Sequence, residues 1–556
     1  LLFLFLLLTS YFFLLSFKMS SSFGVKGSDI YTTTESPLLD LSVKCVRGTE
    51  NAVLRTAVKE VLALKTPEAV VDAFVMAFHA RNIRGGKGER LVFYDMFQTL
   101  AGALPSTAIA VLDLIPHYGC WDDLFVLASN IKADVPPTSP AGLLREAVLD
   151  LTVKQLCADE DAESGLSLAA KWAPRESRYK PLAQALAKKL FPRDWQYSSQ
   201  MKKYRQMVAK LNERLKTVET RMCANRWDEI VPASVPGRAG KVYSKAFLNL
   251  PSTYRSKEGG ETDADRTGMR HPDDEMRMAC RAKFEEHYKN AAAGKAKVHG
   301  ADTLFPHEII KNVSHGDRLE DAEKDHLRAV WRSMVEKVRA AGGLGRSIFM
   351  SDFSGSMQAS SVGDTPYWVS MALGMLGAEV CSDEFKDLMM TFDSNPIWHR
   401  FSAGSDIFER VRSIEESRIG QGTSTDFQKA MDLVLETLKA KRMRPGQEPE
   451  NLIVLTDMGW DQACSSSDVS QYTGHRYRHV VKTAPWQTQV EMIQEAFKRA
   501  GEDMWGPGQG FTAPRIVIWN LASSYANDHH AKADTPGVAM LSGWSPTQFE
   551  ILQKEG

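Results

Sequence analysis

Ile348-Phe349-Met350-Ser351-Asp352-Phe353-Ser354-Gly355-Ser356-Met357 is a short apolar run that ends in one carboxylate and two hydroxyls, in the spacing D-x-S-x-S. All three are hard oxygen donors, the kind that hold Mg²⁺ while leaving it most of its waters. Taken alone, the spacing also suits a helix N-cap after a turn. Two later stretches decide against that. Gly420-Gln421-Gly422-Thr423-Ser424-Thr425-Asp426 is a Gly-rich loop that offers further hydroxyls, and Leu452-Ile453-Val454-Leu455-Thr456-Asp457 is a second buried-type strand ending in Asp.

Outward from this stretch, the pattern after Gly342-Gly343 alternates between strand and helix. Short β-type runs fall at 347–351, 388–392, 452–456 and 515–519, with amphipathic helical stretches near 367–380, 426–441 and 487–500. Such alternation predicts a mostly parallel α/β sheet of Rossmann-like class over residues 344–556. In these sheets ligands sit outside the carboxyl ends of the strands, where loops converge. Asp352 and Asp457 both fall at such ends.

Upstream, from about 50 to 340, the pattern is helical. Tyr204, Met207, Val208, Leu211, Leu215 and Val218 recur at helical spacing, and Pro67 after Thr66 marks a helix start with Val70, Val71, Phe74, Ala77 and Phe78 as its apolar stripe. Pro and Gly breaks between such segments predict stacked helix pairs of HEAT-like type over residues 41–343, without a clear repeat period. The charge-, Gly- and Ala-rich residues 255–300 read as a loop or insertion. Residues 19–40 read as a flexible Ser/Thr/Gly-rich lead-in. Leu1–Phe17 is almost wholly apolar but has no charged n-region and no small-residue cleavage site. The expectation is upstream sequence, with Met19 as initiator, rather than a functional signal peptide.

The chain of 556 residues has a net charge of −1 that hides an asymmetry. Residues 41–343 hold 47 Lys and Arg against 39 Asp and Glu, while residues 344–556 hold 19 against 27. Two domains with different partners are expected. The seven cysteines form no C-x-x-C pair, which argues against a zinc site or disulfide framework and for a reducing compartment: the cytoplasm, extending to the nucleus. His529-His530 reads as a surface loop. Beyond the first residues no run is long enough to span a bilayer, so no membrane partner is expected.

The three pieces around Asp352, Thr425 and Asp457 resemble the metal-ion-dependent adhesion site of von Willebrand factor A (vWA) domains. The resemblance implies Asp352, Ser354 and Ser356 on one side of a Mg²⁺ ion and Thr425 (or Thr423) on another. Asp457 would hold a water in its outer shell. Few direct negative charges leave such an ion electrophilic, so an acidic residue of a protein ligand can complete its coordination. The helical half resembles the TROVE module of Ro-type ribonucleoproteins, and a family of TROVE-like plus vWA proteins of unknown function. The phrases that carry it are Ala80–Arg90 (ARNIRGGKGER), Ile115–Leu124 (IPHYGCWDDL), Ser167–Pro174 (SLAAKWAP), Phe305–Ile309 (FPHEI) and Gly537–Gly543 (GVAMLSG). That likeness implies helical repeats that hold small or single-stranded RNA.

Basic residues mark where RNA would lie. Between 171 and 221 there are 14 Lys and Arg against 4 Asp and Glu, interleaved with Trp172, Tyr179, Trp195, Tyr197 and Tyr204. Cations such as Lys171, Arg175, Arg178, Lys202, Lys203 and Arg205 neutralise phosphates, and aromatics stack on unpaired bases. The alternative is a solvated helix face over core aromatics. A second cluster, Arg81, Arg84, Lys87 and Arg90, surrounds two glycines but is no P-loop, since no strand precedes it and no Ser or Thr follows the lysine. It reads as a helix–helix turn with its basic face outward, or as a phosphate contact. Trp121-Asp122-Asp123 reads as a packed Trp and a helix-start Asp pair rather than a catalytic dyad. The expectation is therefore a non-enzymatic RNA-binding scaffold with a Mg²⁺-dependent interaction module. A protein-interaction adaptor without RNA, or a metal-dependent enzyme, are the rival readings.

Overall fold

A computed structural model describes residues 21–23, 29–132, 134–251, 268–316, 319–358, 364–393, 395–417, 427–459, 470–473, 476–479, 486–525 and 527–555. These form two compact units, one of residues 1–69 with 338–556 and one of residues 70–337. No described helix is long and apolar enough to cross a membrane.

The first unit is built on a six-stranded sheet in the order Val538–Ser542, Arg515–Asn520, Asn451–Thr456, Ser347–Asp352, Leu388–Phe392, Trp398–Arg400. All neighbours are parallel except the last pair, an antiparallel edge. The four expected strands are present. The edge strands 398–400 and 538–542 were not foreseen in the sequence. The central strands are largely apolar and, apart from Asn451, buried, as a sheet covered on both faces requires. Chain order reverses between Ser347–Asp352 and Asn451–Thr456, the switch point at which open α/β sheets hold ligands.

The helix Pro366–Val380 lies directly on the strand that ends in Asp352. Its glycines permit the close approach: a Cβ at Gly377 would come within 2.2 Å of the Phe349 ring, and one at Gly374 within 2.3 Å of Ser351 Oγ. Flanking helices Phe427–Ala440 and Trp486–Trp505 complete the α/β pattern.

The unit boundary differs from the one read in the sequence. The helices Pro37–Lys44 and Asn51–Leu62 belong with the sheet. Asn520 Nδ2 donates to the Val43 carbonyl at 3.3 Å and Ser542 Oγ to the Ser42 carbonyl at 2.6 Å. These bonds join residues almost five hundred positions apart, a pairing that local periodicity cannot reveal.

Every described element of residues 70–337 is helical. The expected helix at 204–218 appears as Tyr197–Leu215 and Val218–Cys223, broken at Lys216, whose φ is +51°. The expected loop at 255–300 is corrected: Glu275–Ala292 is a helix, capped by the Asp274 side chain. Its Cys280, Phe284 and Tyr288 recur every four residues and are buried with Trp227, Ile230 and Phe247, and the Phe247 and Phe284 rings stack at 4.4 Å. A charge-rich composition concealed this narrow apolar stripe.

Candidate metal centre

Asp352 is the last residue of its strand and is fully buried. Its Oδ1 accepts the Ser354 N–H at 2.8 Å, and its Oδ2 accepts the Thr456 hydroxyl at 3.1 Å from the end of the neighbouring strand. Ser354 Oγ and Ser356 Oγ lie 3.1 Å apart. The D-x-S-x-S turn thus folds both hydroxyls back over the strand end that carries the carboxylate.

Asp457 follows the adjacent parallel strand and is 1% exposed. Its Oδ1 accepts the Gly459 N–H at 2.9 Å, while Oδ2 is buried and has no hydrogen-bond partner among the described residues. The turn that carries it is held firmly. Met458 has φ +72°, its N–H bonds Thr456 Oγ1 at 3.2 Å, and its carbonyl accepts from His530 Nε2 at 2.8 Å. A Cβ at Gly459 would strike Tyr525 at 2.6 Å and Asp457 Oδ1 at 3.0 Å, so the turn has no room for a side chain.

Burial pushes the Asp352 carboxyl up to about 7, and the charge of Asp457 adds to the rise against hydrogen bonds from Ser354 and Thr456. Two facing carboxylates with one unpartnered oxygen are costly in a dry interior. A hard divalent cation would remove that cost, with the Asp352 carboxylate and the Ser354 and Ser356 hydroxyls as its candidate donors and Asp457 as the outer-shell residue. Asp352, Ser354, Ser356 and Asp457 therefore fit a Mg²⁺ ion. Thr423 and Thr425 lie outside the described residues.

Sequence reading missed Thr456, which ties the two strand ends together, and Asp393, buried just beyond Phe392, the register partner of Asp352. It also misplaced His529 and His530, which are 0% and 2% exposed. The backbone of His529 pairs with Tyr31 in an antiparallel bridge. That pairing draws the segment inward and turns an expected surface loop into part of the unit's interior.

The basic residues of the helical unit divide into two sets. Arg81 is 7% and Lys87 3% exposed, so these two face inward, while Arg84 and Arg90 lie at the surface. Arg81 Nε donates to Asp123 Oδ2 at 2.7 Å. Arg90 Nη2 donates to Tyr94, Asp122 and Asp123 at 2.9, 3.1 and 3.1 Å, and the Tyr94 hydroxyl donates to Asp123 at 2.5 Å. The phrases around Gly85 and Trp121 are thus two halves of one ion network. A Cβ at Gly119 would come within 2.2 Å of Asp123 Oδ2, so glycine lets the halves meet. Burial would raise the Asp123 carboxyl, but Arg81, Tyr94 and Arg90 hold it below the usual carboxylate range. Asp122 and Asp123 open the helix Trp121–Ser129 beside a buried Trp121.

The second set lies at the surface. Arg84, Arg175, Arg178, Lys202, Lys203 and Arg205 are exposed, and Lys171 is half-buried. Several meet acids: Lys171 with Glu219, Lys203 with Asp194, Arg205 with Glu176. Among the interleaved aromatics, Trp195 is 88% and Tyr197 48% exposed, whereas Tyr204 is buried with its hydroxyl on the Pro174 carbonyl.

Comparison with known proteins gives likeness without an assigned activity. Residues 346–556 match a domain of unknown function (DUF7788), and residues 141–253 match another (DUF2828). An uncharacterized protein, L728, of Acanthamoeba polyphaga mimivirus is 25% identical over 549 residues, covering 96% of this chain and 84% of that protein. Among solved structures, the Deinococcus radiodurans RO (RSR) protein is similar at a TM-score of 0.40 with 13% identity, over 94% of this chain and 99% of that one.

Proposed function

We propose that this chain is a non-enzymatic RNA-binding scaffold whose sheet unit captures an acidic group of a protein ligand through a bound Mg²⁺. The observation that carries the metal reading is the buried, unpartnered Oδ2 of Asp457 beside the fully buried Asp352. Asp352, Ser354 and Ser356 would hold the ion, with Asp457 beside them and a threonine of the 420–426 loop as a further ligand. When bound, the ion supplies a Lewis-acidic seat for a carboxylate. The two seryl hydroxyls bond each other, and the Ser354 N–H serves Asp352, an arrangement of ligands rather than of nucleophile and base. The free thiols among the described residues suit a cytoplasmic or nuclear setting.

RNA binding rests on Trp195 and Tyr197, exposed and within ten residues of the exposed Lys202, Lys203 and Arg205, which offer stacking faces and phosphate partners. A protein adaptor is favoured instead by the ion pairs of Lys203 and Arg205, which suit a solvated face. The deciding measurement is fluorescence anisotropy of labelled single-stranded RNA with the full chain at increasing salt. Micromolar or tighter binding that weakens steeply with salt is expected, and neutralising Lys202, Lys203 and Arg205 together lowers both affinity and salt slope. Binding that ignores salt, or none, selects the adaptor. The metal is tested separately by calorimetric Mg²⁺ titration of wild type and Asp352→Ala, and equal affinity would end that assignment.

A further inference from the structure

The two basic clusters that lie far apart in sequence meet at a single carboxylate oxygen. Arg90 Nη2 and Arg178 Nη2 each lie 3.1 Å from Asp122 Oδ2. Asp122 is 2% exposed, while the two arginine side chains are 45% and 57% exposed. One buried anion therefore holds two guanidinium groups side by side at the surface. Arg178 is braced further by the Tyr179 ring, 4.7 Å from its guanidinium carbon, and the Tyr179 hydroxyl also bonds Asp122. Arg90 is braced by Tyr94.

The charges in this network do not cancel. Arg81, Arg90 and Arg178 bring three positive charges to the two negative charges of Asp122 and Asp123. Arg81 and Asp123 are buried and satisfy each other, so the excess charge resides at the exposed edge formed by Arg90 and Arg178. Among the described residues, each of these two arginines reaches the carboxylates through Nη2, so their Nε and Nη1 donors are not spent on Asp122 or Asp123. Two guanidinium groups held side by side with one uncompensated charge suit a tetrahedral oxyanion carrying a single negative charge.

We propose that Arg90 and Arg178, held by Asp122, form a seat for a phosphodiester group of single-stranded RNA. The seat deepens the RNA-binding reading and rests on it for the source of the phosphate. It differs from the Lys202–Arg205 surface in being rigid. The helical repeats supply the anchoring carboxylate from the interior, so the cations lose little freedom when the phosphate arrives.

The test uses the full chain, a labelled short oligouridylate and, separately, inorganic phosphate. Arg178→Gln is the leading variant because its side chain is more than half exposed and Asp122 keeps Arg90 and Tyr179 as partners. Its oligouridylate affinity should fall about tenfold, and its log–log salt slope should shrink by ~0.7, the value of one single-strand phosphate contact. Arg178→Lys should recover the slope but not the full affinity, since an ammonium lacks the fixed N–H directions and the aromatic stacking of the planar guanidinium. Unchanged affinity and slope in Arg178→Gln would overturn the seat and leave the RNA reading intact. If wild type does not bind the oligonucleotide, the RNA reading fails and calorimetry with inorganic phosphate decides the seat. Phosphate binding that vanishes in Arg178→Gln supports a phosphate seat, and no phosphate binding by wild type overturns it.

Discussion

In the helical unit, Asp122 and Asp123 are met by Arg81, Arg90, Arg178, Tyr94 and Tyr179. In the sheet unit, Asp352 and Asp457 receive only hydroxyl and amide donors, with no ion pair to either among the described residues. Both pairs are buried. The first is neutralised from within, so its acids are architecture that positions arginines. The second has no cation beside it among the described residues, and burial together with the Asp457 charge pushes Asp352 up to about 7, the feature on which the proposed metal site rests. Acidic residues next to each other in a fold carry no functional meaning until their counter-charges are located.

The sharpest way to break this contrast is to remove one acid from each pair. Asp123→Ala strands the buried Arg81 guanidinium and should cost the fold ~3–5 kcal/mol, read from denaturant unfolding. In chelator, Asp457→Asn removes like-charge repulsion from Asp352 and should leave stability unchanged or raised. A comparable loss in both variants would mean that the sheet pair is as structural as the helical one.

Next in size is the response to acid, which concerns groups settled inside the helical unit. Burial lowers His326 to about 4. The unfolded chain therefore takes the proton first, and the stabilisation is complete above about pH 6.5 and lost as pH falls toward 4. Glu308 would be raised by burial, yet Lys241 and Arg238 hold it at about 2. Its contribution is complete above about pH 4.5 and lost as pH falls toward 2. Each step is on the order of 3 kcal/mol. The His326→Leu variant should lack the first step, and its difference from wild type should be the same in Mg²⁺ and in chelator. A difference that changes with Mg²⁺ would show that the helical unit's charges are not settled internally.

Mg²⁺ itself should stabilise wild type by about 2.7 kcal/mol at roughly 100 times its dissociation constant. Thermal unfolding with and without the ion measures this, and Asp352→Ala should show no such gain. Equal stabilisation of both would move the ion elsewhere.

Much of the sheet unit could be read in advance because buried parallel strands are continuous apolar runs, and the strand ends at Asp352 and Asp457 follow directly from them. The hydroxyls of Ser354 and Ser356 were legible because they follow Asp352 at two-residue spacing in a turn just beyond the strand end. Thr456 escaped notice because its role depends on the strand pairing rather than on its neighbours in sequence. The fate of Arg81 was illegible for a similar reason: its partner, Asp123, is 42 residues away, and composition alone presents it as one more cation in a basic cluster. The N-terminal helices and His529-His530 were misplaced because their packing partners lie at the other end of the chain. Local pattern predicts elements well, but the destination of a charge is a tertiary fact.

The smallest expected effect grades the two hydroxyls. Ser354 is 1% exposed and its Oγ is hydrogen-bonded to that of Ser356, which is only half-buried. Loss of the Ser356 hydroxyl leaves a gap that water can enter, and that water can replace the missing donor to the ion. The Ser354 position is sealed, so its loss leaves the ion one oxygen short with no substitute. Ser354→Ala should therefore weaken Mg²⁺ binding about tenfold and Ser356→Ala about threefold, the size of one hydrogen bond removed outright in the first case and partly replaced by water in the second. Calorimetric titration of both variants gives the order. A larger effect of Ser356→Ala would place the ion toward the rim of the turn and away from the buried carboxylate pair.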